Sequence, residues 1–437
     1  MSDVSANDDA ILEELRSFLE DNWNPDLTVS QWWEKLGLAG WAAPTLPSHA
    51  YGRGVSRATA ARIGAMINEF GAMGAPDGLG ILLAAPTIAD HGTPEQIETY
   101  VRDIVTGQRG WCQLFSEPGA GSDLASLTTR ATKDGDEWVF SGQKVWTSAG
   151  QFADFGMLIA RTSPDLPKHQ GISYFALDMH QPEVEVRPLR EMTGHALFNE
   201  TFLNDAHAPE SALIGGKDNG WAVANTTLSY ERSGLGSGAG TRGATAVPGT
   251  IAGNLGKRAG DFVSTKGDKK RQAPPANARG AMFDLLVGLA QGNGASKDKL
   301  VRQDLVRLYQ LNEVGRLNAE RLKATRARGG DIPGLANIAK LSMSAIVRLQ
   351  RDLGLKIVGA QGMVHAYDAK DQATVNEATG NPFLAAVTGS ALYAQAPSIY
   401  GGTDQIQCNI IGERVLGLAK EPNNDKTMPF SEMPKNA

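Results

Sequence analysis

Only two cysteines, Cys112 and Cys408, occur in 437 residues, and they lie far apart. They make neither a disulfide framework nor a metal cluster, so a reduced compartment and no metal site are expected. Long hydrophobic runs are also missing. The longest mostly apolar stretches, such as 78–89, are too short to cross a bilayer. The first fourteen residues are acidic and lack an apolar core, which is not the pattern of a secretory signal. Nor is there an excess of positive charge: 42 Lys and Arg stand against 48 Asp and Glu, a formal net charge of −6. Nucleic-acid-binding domains usually carry the opposite sign, so nucleic acid is not an expected partner. These absences lead to the expectation of a soluble, cytoplasmic protein without a membrane span.

What is present suits a globular protein. An apolar fraction of 41 % and a charged fraction of 21 % allow a sizeable core, and the length suits two or three domains. Fifty glycines signal many tight turns or glycine loops. Helical spacing marks 10–22, 31–36, 56–70, 79–90 and 94–105, with Ser56 and Thr93 as capping residues and Pro94 in a first turn. Near Gly110 the pattern changes. Strand-like runs at 137–141, 154–161, 173–177, 183–189 and 199–203 alternate with turn signals. Helices return at 221–234, 299–326, 337–354, 381–394 and 404–415. The signal between 234 and 297 is weak, with 256–278 read as a loop. The predicted fold is α+β and multidomain: an N-terminal helical domain (1–110), a central β-barrel or sandwich domain (111–218), a C-terminal four-helix bundle (219–422) and a flexible polar tail (423–437).

Four segments carry possible chemistry. Phe115-Ser116-Glu117-Pro118-Gly119-Ala120-Gly121-Ser122-Asp123 suggests a tight loop with exposed backbone N–H groups, able to hold a pyrophosphate. An ordinary turn loop explains the same composition. In Gly142-Gln143-Lys144-Val145-Trp146-Thr147-Ser148 a Trp could cover a planar cofactor while hydroxyls bond its edge, or it could be a core Trp at a strand end. Glu231-Arg232 lies late in the helix that starts near Trp221. It reads either as a solvated pair or as a carboxylate beside the buried face, with a raised pKa and the capacity of a base. Tyr400-Gly401-Gly402-Thr403-Asp404-Gln405 combines glycines that allow close backbone approach with the capped start of the final helix, which a plain glycine turn also explains.

In this order and spacing the four segments resemble the acyl-CoA dehydrogenase family. The resemblance extends over nearly the whole chain. Trp41-Ala42-Ala43-Pro44, Tyr51-Gly52, Pro86-Thr87 and His91-Gly92-Thr93 are similar to its N-terminal domain, and Phe198-Asn199-Glu200, Leu213-Ile214-Gly215 and Gly220-Trp221 to the end of its β domain. The run from Gly401 to Leu418, with Ile410-Ile411-Gly412-Glu413-Arg414, is similar to its ending. The resemblance implies FAD between the β domain and the C-terminal helices. It places Gln113, Phe115, Ser116, Gly121 and Ser122 along the cofactor, with Ser116 at the flavin's polar edge and Ser122 near the pyrophosphate. Trp146, Thr147 and Ser148 would flank the isoalloxazine, and Thr403 and Gln405 would reach the FAD. Ser122, Arg232 and Gly402 are the residues expected near substrate. The implied reaction is α,β-dehydrogenation of an acyl-CoA thioester, with electrons passing to an electron-transfer flavoprotein.

The departures from the family pattern are informative. Many members place the catalytic Glu where this chain has Gly401. A second branch, which includes the isovaleryl and long-chain types, carries the base in a Glu-Arg pair on an earlier helix, and Glu231-Arg232 matches it. Glu231 is therefore the expected base, with the Gly401 N–H still available to the thioester oxygen and Asp404 as second candidate base. The arginine and aromatic-glycine pair that many members use to hold a neighbouring subunit's FAD is not found between Gly234 and Lys297. Arg302-Gln303 is the candidate substitute, and the oligomer is expected to be homomeric or built with a paralogue. Gly401 in place of a carboxylate leaves room for a branched or bulky acyl group. Lys168 and His169 lie in a β-domain loop that could meet CoA phosphates or be simply solvated. A flavin oxidase or monooxygenase, and a non-catalytic or FAD-sharing partner subunit, are the competing readings.

Overall fold

The computed structural model describes residues 2–236, 246–263, 278–326, 328–422 and 427–434, with the side chains of 2–7, 232–236, 278–279 and 326 outside that description. The chain divides into two compact units. One comprises Met1–Leu189, Leu197–Arg271 and Asn423–Ala437, and the other Arg190–Ala196 and Gln272–Pro422.

The first unit opens with helices α1 (Ser2–Asn22), α2 (Val29–Leu38), α3 (Arg57–Phe70), α4 (Ala85–His91), α5 (Pro94–Gln96) and α6 (Arg102–Val105). Capping side chains set their starts, at Ser56 and Thr93 as the sequence indicated. Thr28 and Thr93 each form a reciprocal capping box with the Gln three residues on, and Ser56 accepts from the Thr59 N–H. Trp32 and Trp33 are fully buried, yet both indole N–H groups are satisfied, by the Met73 and Gly74 carbonyls at 2.7 and 2.9 Å. The cap residue Gln96 also donates to the Ser211 and Leu213 carbonyls, tying these helices to the sheet that follows.

Eight strands follow: β1 (Trp111–Leu114), β2 (Arg130–Asp134), β3 (Glu137–Lys144), β4 (Phe155–Arg161), β5 (Ile172–Asp178), β6 (Val184–Leu189), β7 (Phe198–Pro209) and β8 (Leu213–Ile214). Their order is β6-β7-β3-β2-β4-β5-β8, with β1 parallel to β4. Between β2 and β4 a single pairing, Arg130 with Arg161, joins the two halves. β4 and β5 are buried along nearly their whole length, as continuous apolar runs require.

Helix α7 (Gly220–Gly236) packs on β5 and on α4 and the wide turn at Gly80–Ala84 before it. It was expected to open the C-terminal domain, but it belongs to the first unit. Val223, Ala224 and Thr227 are buried, and the Thr227 hydroxyl lies 3.0 Å from that of Thr87 and within bonding distance of Tyr174. Residues 256–263 form the expected loop, seated through the pairing of Thr28 with Arg258, while 264–277 lie outside the described residues.

The second unit holds α8 (Ala278–Gly292), α9 (Lys299–Arg326), α10 (Leu335–Val358), α11 (Ala369–Thr379), α12 (Leu384–Tyr393) and α13 (Asp404–Ile410). Leu286, Leu308, Ile346, Leu353, Leu384 and Val387 form a core between α8, α9, α10 and α12, the expected four-helix arrangement. Among the described residues no helix is long and apolar enough to cross a membrane.

Candidate functional site

The loop that follows β1 is held from beneath by a buried ion pair. Lys144, fully enclosed at the end of β3, donates to Glu117 Oε1 at 2.9 Å and to the Phe115 carbonyl at 3.1 Å. Glu117 also accepts from the Thr128 N–H and hydroxyl and from the Thr129 N–H. Burial pushes the Glu117 carboxyl up, but Lys144 and these donors outweigh it and hold the carboxyl down at about 2. Burial pulls the Lys144 ammonium down, and Glu117 opposes it. Reciprocal Glu117–Ala120 backbone bonds then close a tight turn. Sequence reasoning quoted both residues within their motifs without seeing that they pair across 27 positions.

The pair leaves the outer side of the loop open. Gly119, Gly121 and Ser122 are exposed, Ser116 is half-buried, and a Cβ built on Gly119 or Gly121 meets nothing within 4 Å. The Val145 N–H donates to the Ser116 carbonyl at 2.9 Å, which fastens the loop to the second motif. Gln113 lies half-buried in β1. Phe115 departs from expectation: its ring is buried edge-on to Tyr174, so only its backbone serves the loop.

Trp146 is not a core residue. It sits at φ 61°, is 56 % exposed, and meets Phe198 edge-on at 5.7 Å. Left-handed backbone is costly for a residue with a Cβ, and a free indole gains nothing from water, so a ring projecting in this way is a candidate for covering a ligand. Thr147 behind it is fully buried. It exchanges backbone bonds with Asn199 at 3.0 Å each way, and Thr201 donates to its hydroxyl. The Thr147 side chain thus braces the turn instead of facing outward, while Ser148 remains half-buried. Asn199 gives its amide N–H groups to the Thr147 carbonyl and Gln151, leaving a buried Oδ1 without a partner. That oxygen was not singled out from the sequence. An exposed ring, open glycines and an orphaned polar atom fit a flat, polar-edged cofactor with a diphosphate, which is what FAD presents.

Lys168 does not lie in a solvated loop. It is 4 % exposed and donates to both Asp123 oxygens at 2.9–3.0 Å, so it pins the outer end of the motif loop and is not offered to phosphates. His169 meets Trp221 edge-on at 4.9 Å, at the start of α7. Further along α7, Val223, Thr227 and Glu231 recur at i, i+4 spacing, so Glu231 continues the buried stripe and is half-buried. The Arg232 side chain lies outside the described residues.

In the second unit Gly401 and Gly402 have φ of 63° and 81°. Their carbonyls accept from Gln407 Nε2 at 3.0 and 3.3 Å. Thr403 caps α13 through its hydroxyl and the Ile406 N–H. Gln405 is exposed. Asp404 is engaged elsewhere: it accepts from Ser344 at 2.7 Å and Arg348 at 3.0 Å, with Lys340 at 3.5 Å. A carboxylate so neutralised is an anchor between α13 and α10, which removes it as second candidate base. Arg302 and Gln303 are exposed near the start of α9.

Models of the acyl-CoA dehydrogenase N-terminal, middle and C-terminal domains match residues 5–108, 112–206 and 281–416. Acyl-CoA dehydrogenase IpdE1 of Mycobacterium tuberculosis is 33 % identical over 393 residues, covering 89 % of this chain and 88 % of that protein. Acyl-CoA dehydrogenase FadE34 of the same organism is 36 % identical over 388 residues, or 88 % of this chain, which spans about half (46 %) of that longer relative. Among solved structures, the ChsE4-ChsE5 complex from Mycobacterium tuberculosis is similar with a TM-score of 0.63 and 25 % identity, covering 95 % of this chain and 98 % of that one. The Tcur3481-Tcur3483 steroid ACAD is similar with a TM-score of 0.65 and 23 % identity, with the same coverage.

Proposed function

The chain belongs to the acyl-CoA dehydrogenase family, whose members are FAD-binding oxidoreductases acting on a CH–CH bond, and from that premise we propose that it oxidises an acyl-CoA thioester to the trans-2-enoyl-CoA with Glu231 as base. The observation that carries this reading is the place of Glu231. It continues the buried stripe of α7 and is half-buried, while the alternative position holds Gly401 and the alternative carboxylate, Asp404, is bound by Ser344 and Arg348.

The proposed division of labour follows from these residues. The Glu231 carboxylate takes the α proton, and partial burial keeps water from competing for it. The Gly401 N–H donates to the thioester oxygen as negative charge develops there. When bound, FAD supplies the acceptor for the hydride that leaves the β carbon. Ser116, Ser122, Trp146, Ser148, Thr403 and Gln405 are the residues proposed to hold it, with Ser122 also, together with Arg232 and Gly402, near substrate and Arg302 and Gln303 contributing from a neighbouring subunit. An electron-transfer flavoprotein is the proposed acceptor.

Two finer points belong to the same proposal. With glycine at 401 and 402, the acyl pocket suits a branched or bulky chain, a reading supported by the neighbour described as a steroid ACAD. Leu300, Val306, Tyr309, Val314 and Leu317 expose more than half of their surface along α9, which supports burial of that helix against another subunit, identical or paralogous.

The test is anaerobic addition of a panel of straight, branched and ring-bearing acyl-CoAs to the purified protein, with Glu231→Gln alongside. Bleaching of the oxidised-flavin band at about 450 nm is expected in the wild type and not in the variant. Equal bleaching in both refutes Glu231 as base, and fastest turnover on butyryl-CoA refutes the bulky-chain reading. Rapid reoxidation by oxygen would assign an oxidase instead.

A further inference from the structure

Residues 427–434, expected to belong to a flexible tail, make defined contacts with the first unit. Pro429 pairs with Pro167, the Phe430 N–H donates to the Leu166 carbonyl at 2.9 Å, and the Ser431 N–H donates to the Pro164 carbonyl at 2.9 Å. The segment therefore runs as a short strap along the loop between β4 and β5.

Beneath the strap lies Arg161, the last residue of β4, only 3 % exposed and without an ion-pair partner among the described residues. Its guanidinium donates to the carbonyls of Lys168 at 2.6 Å, Ala125 at 2.6 Å and Leu127 at 3.2 Å, and its Nε has no partner. A buried cation whose only direct partners are carbonyl dipoles, with the Glu117 carboxylate helping from a distance, is poorly compensated. Burial pulls the guanidinium pKa down to about 10. The face of the Phe430 ring, with its centroid 3.8 Å from the guanidinium carbon, supplies a further electron-rich partner.

The position of Arg161 gives this contact reach. Its carbonyl partners belong to two segments: 125–127, which directly follows the motif loop, and Lys168, whose ammonium grips Asp123 next to Ser122. The loop also engages the approach to α7, through Thr162 and Ser163 donating to Asp218 and through His169 on Trp221. Phe430 thus reaches the outer end of the motif loop through three contacts, to Arg161, from Arg161 to Lys168, and from Lys168 to Asp123.

We propose that the C-terminal strap is a positioning element for the cofactor loop, with Phe430 seating Arg161 and, through Lys168 and Asp123, fixing the outer end of 113–123 in the form that takes the FAD diphosphate. The inference rests on the reading of 113–123 as the flavin loop. Phe430 touches neither cofactor nor substrate and is a positioning residue.

The experiment titrates FAD into the deflavinated full-length chain and follows amide hydrogen exchange in parallel. Phe430→Ala is expected to raise the FAD Kd by about 3- to 10-fold and Phe430→Tyr, which keeps the ring face, to stay within about 2-fold of wild type. Exchange over 161–171 should quicken in the alanine variant, and turnover at saturating FAD should be unchanged. If Phe430→Ala does not fold, Phe430→Leu keeps an apolar cover without the ring and carries the same expectations. Trp146→Ala separates the two readings. A Kd unmoved by Phe430→Ala but raised by Trp146→Ala overturns the strap alone. A Kd unmoved by both, with faster exchange over 161–171, overturns the flavin-loop reading beneath it. Failure of Phe430→Tyr to restore the Kd overturns the role of the ring.

Discussion

Replacing Lys144 with Met removes one charge of a pair that is almost wholly enclosed, at nearly the same volume. The consequence can be sized in two ways. The Glu117 carboxyl is held at about 2 against an ordinary value of 4.5, a difference equivalent to about 3 kcal/mol of native-state stabilisation at neutral pH. Breaking a buried pair on one side costs about 3–5 kcal/mol. Glu117 keeps the Thr128 and Thr129 donors, so the lower end, about 3 kcal/mol, is expected. The sign with pH follows from the depressed pKa. This contribution is complete above the unfolded value and disappears as pH falls from 4.5 towards 2. Urea unfolding followed by tryptophan fluorescence suits the question, because all eight tryptophans lie within the first unit. Wild type should lose about 2.5 kcal/mol more than Glu117→Gln between neutral pH and pH 2.5. A Lys144→Met variant within about 0.5 kcal/mol of wild type at pH 7, or a Glu117→Gln variant with an unaltered acid profile, would refute the reasoning.

Two further outcomes follow from exposure and pairing. Trp146→Ala should leave the urea midpoint nearly unchanged, since the ring is more than half exposed, yet weaken FAD binding by about tenfold; full flavin retention after gel filtration would contradict its role as a platform. Asp404→Ala should cost about 1–3 kcal/mol of stability through the unpaired Ser344, Arg348 and Lys340, while substrate-induced bleaching persists in the folded fraction. Loss of bleaching with normal stability would return Asp404 to the list of bases.

The fold was legible where chemistry is local. The helix starts at Thr93 and Ser56 depend on side chains within three residues, and the caps appear there. β2 was not read from the sequence because Arg130–Asp134 is largely exposed and shows little apolar alternation. Its strand character comes from pairing with β3 across a short turn. Helix α8 was missed because Gly280, Gly288 and Gly292 dilute the helical signal, while its burial depends on packing against α9 and α10, the helices that follow it. At the site, the sequence left Trp146 as either a ring covering a cofactor or a core Trp, and only the backbone geometry distinguishes a projecting Trp from a core one. The inward turn of Thr147, the burial of Phe115 and the enclosure of Lys168 depend on partners 7 to 59 positions away, namely Thr201, Tyr174 and the segment around Asp123 and Arg161, which no local pattern encodes.

The turn that carries Trp146 also sets a limit on engineering. Both Trp146 and Ala149 occupy left-handed backbone, at φ 61° and 55°, a conformation that costs a residue with a Cβ about 1–2 kcal/mol. Optimisation for thermal stability alone would place glycine or asparagine at both positions and raise the melting temperature. At 149 the exchange to glycine removes only a methyl group. At 146 it discards the projecting indole, so, if the ring has the proposed role against the flavin, the more stable protein is the one less able to grip a flat ligand. Stability and ligand capture pull in opposite directions at this one residue and are independent three positions later.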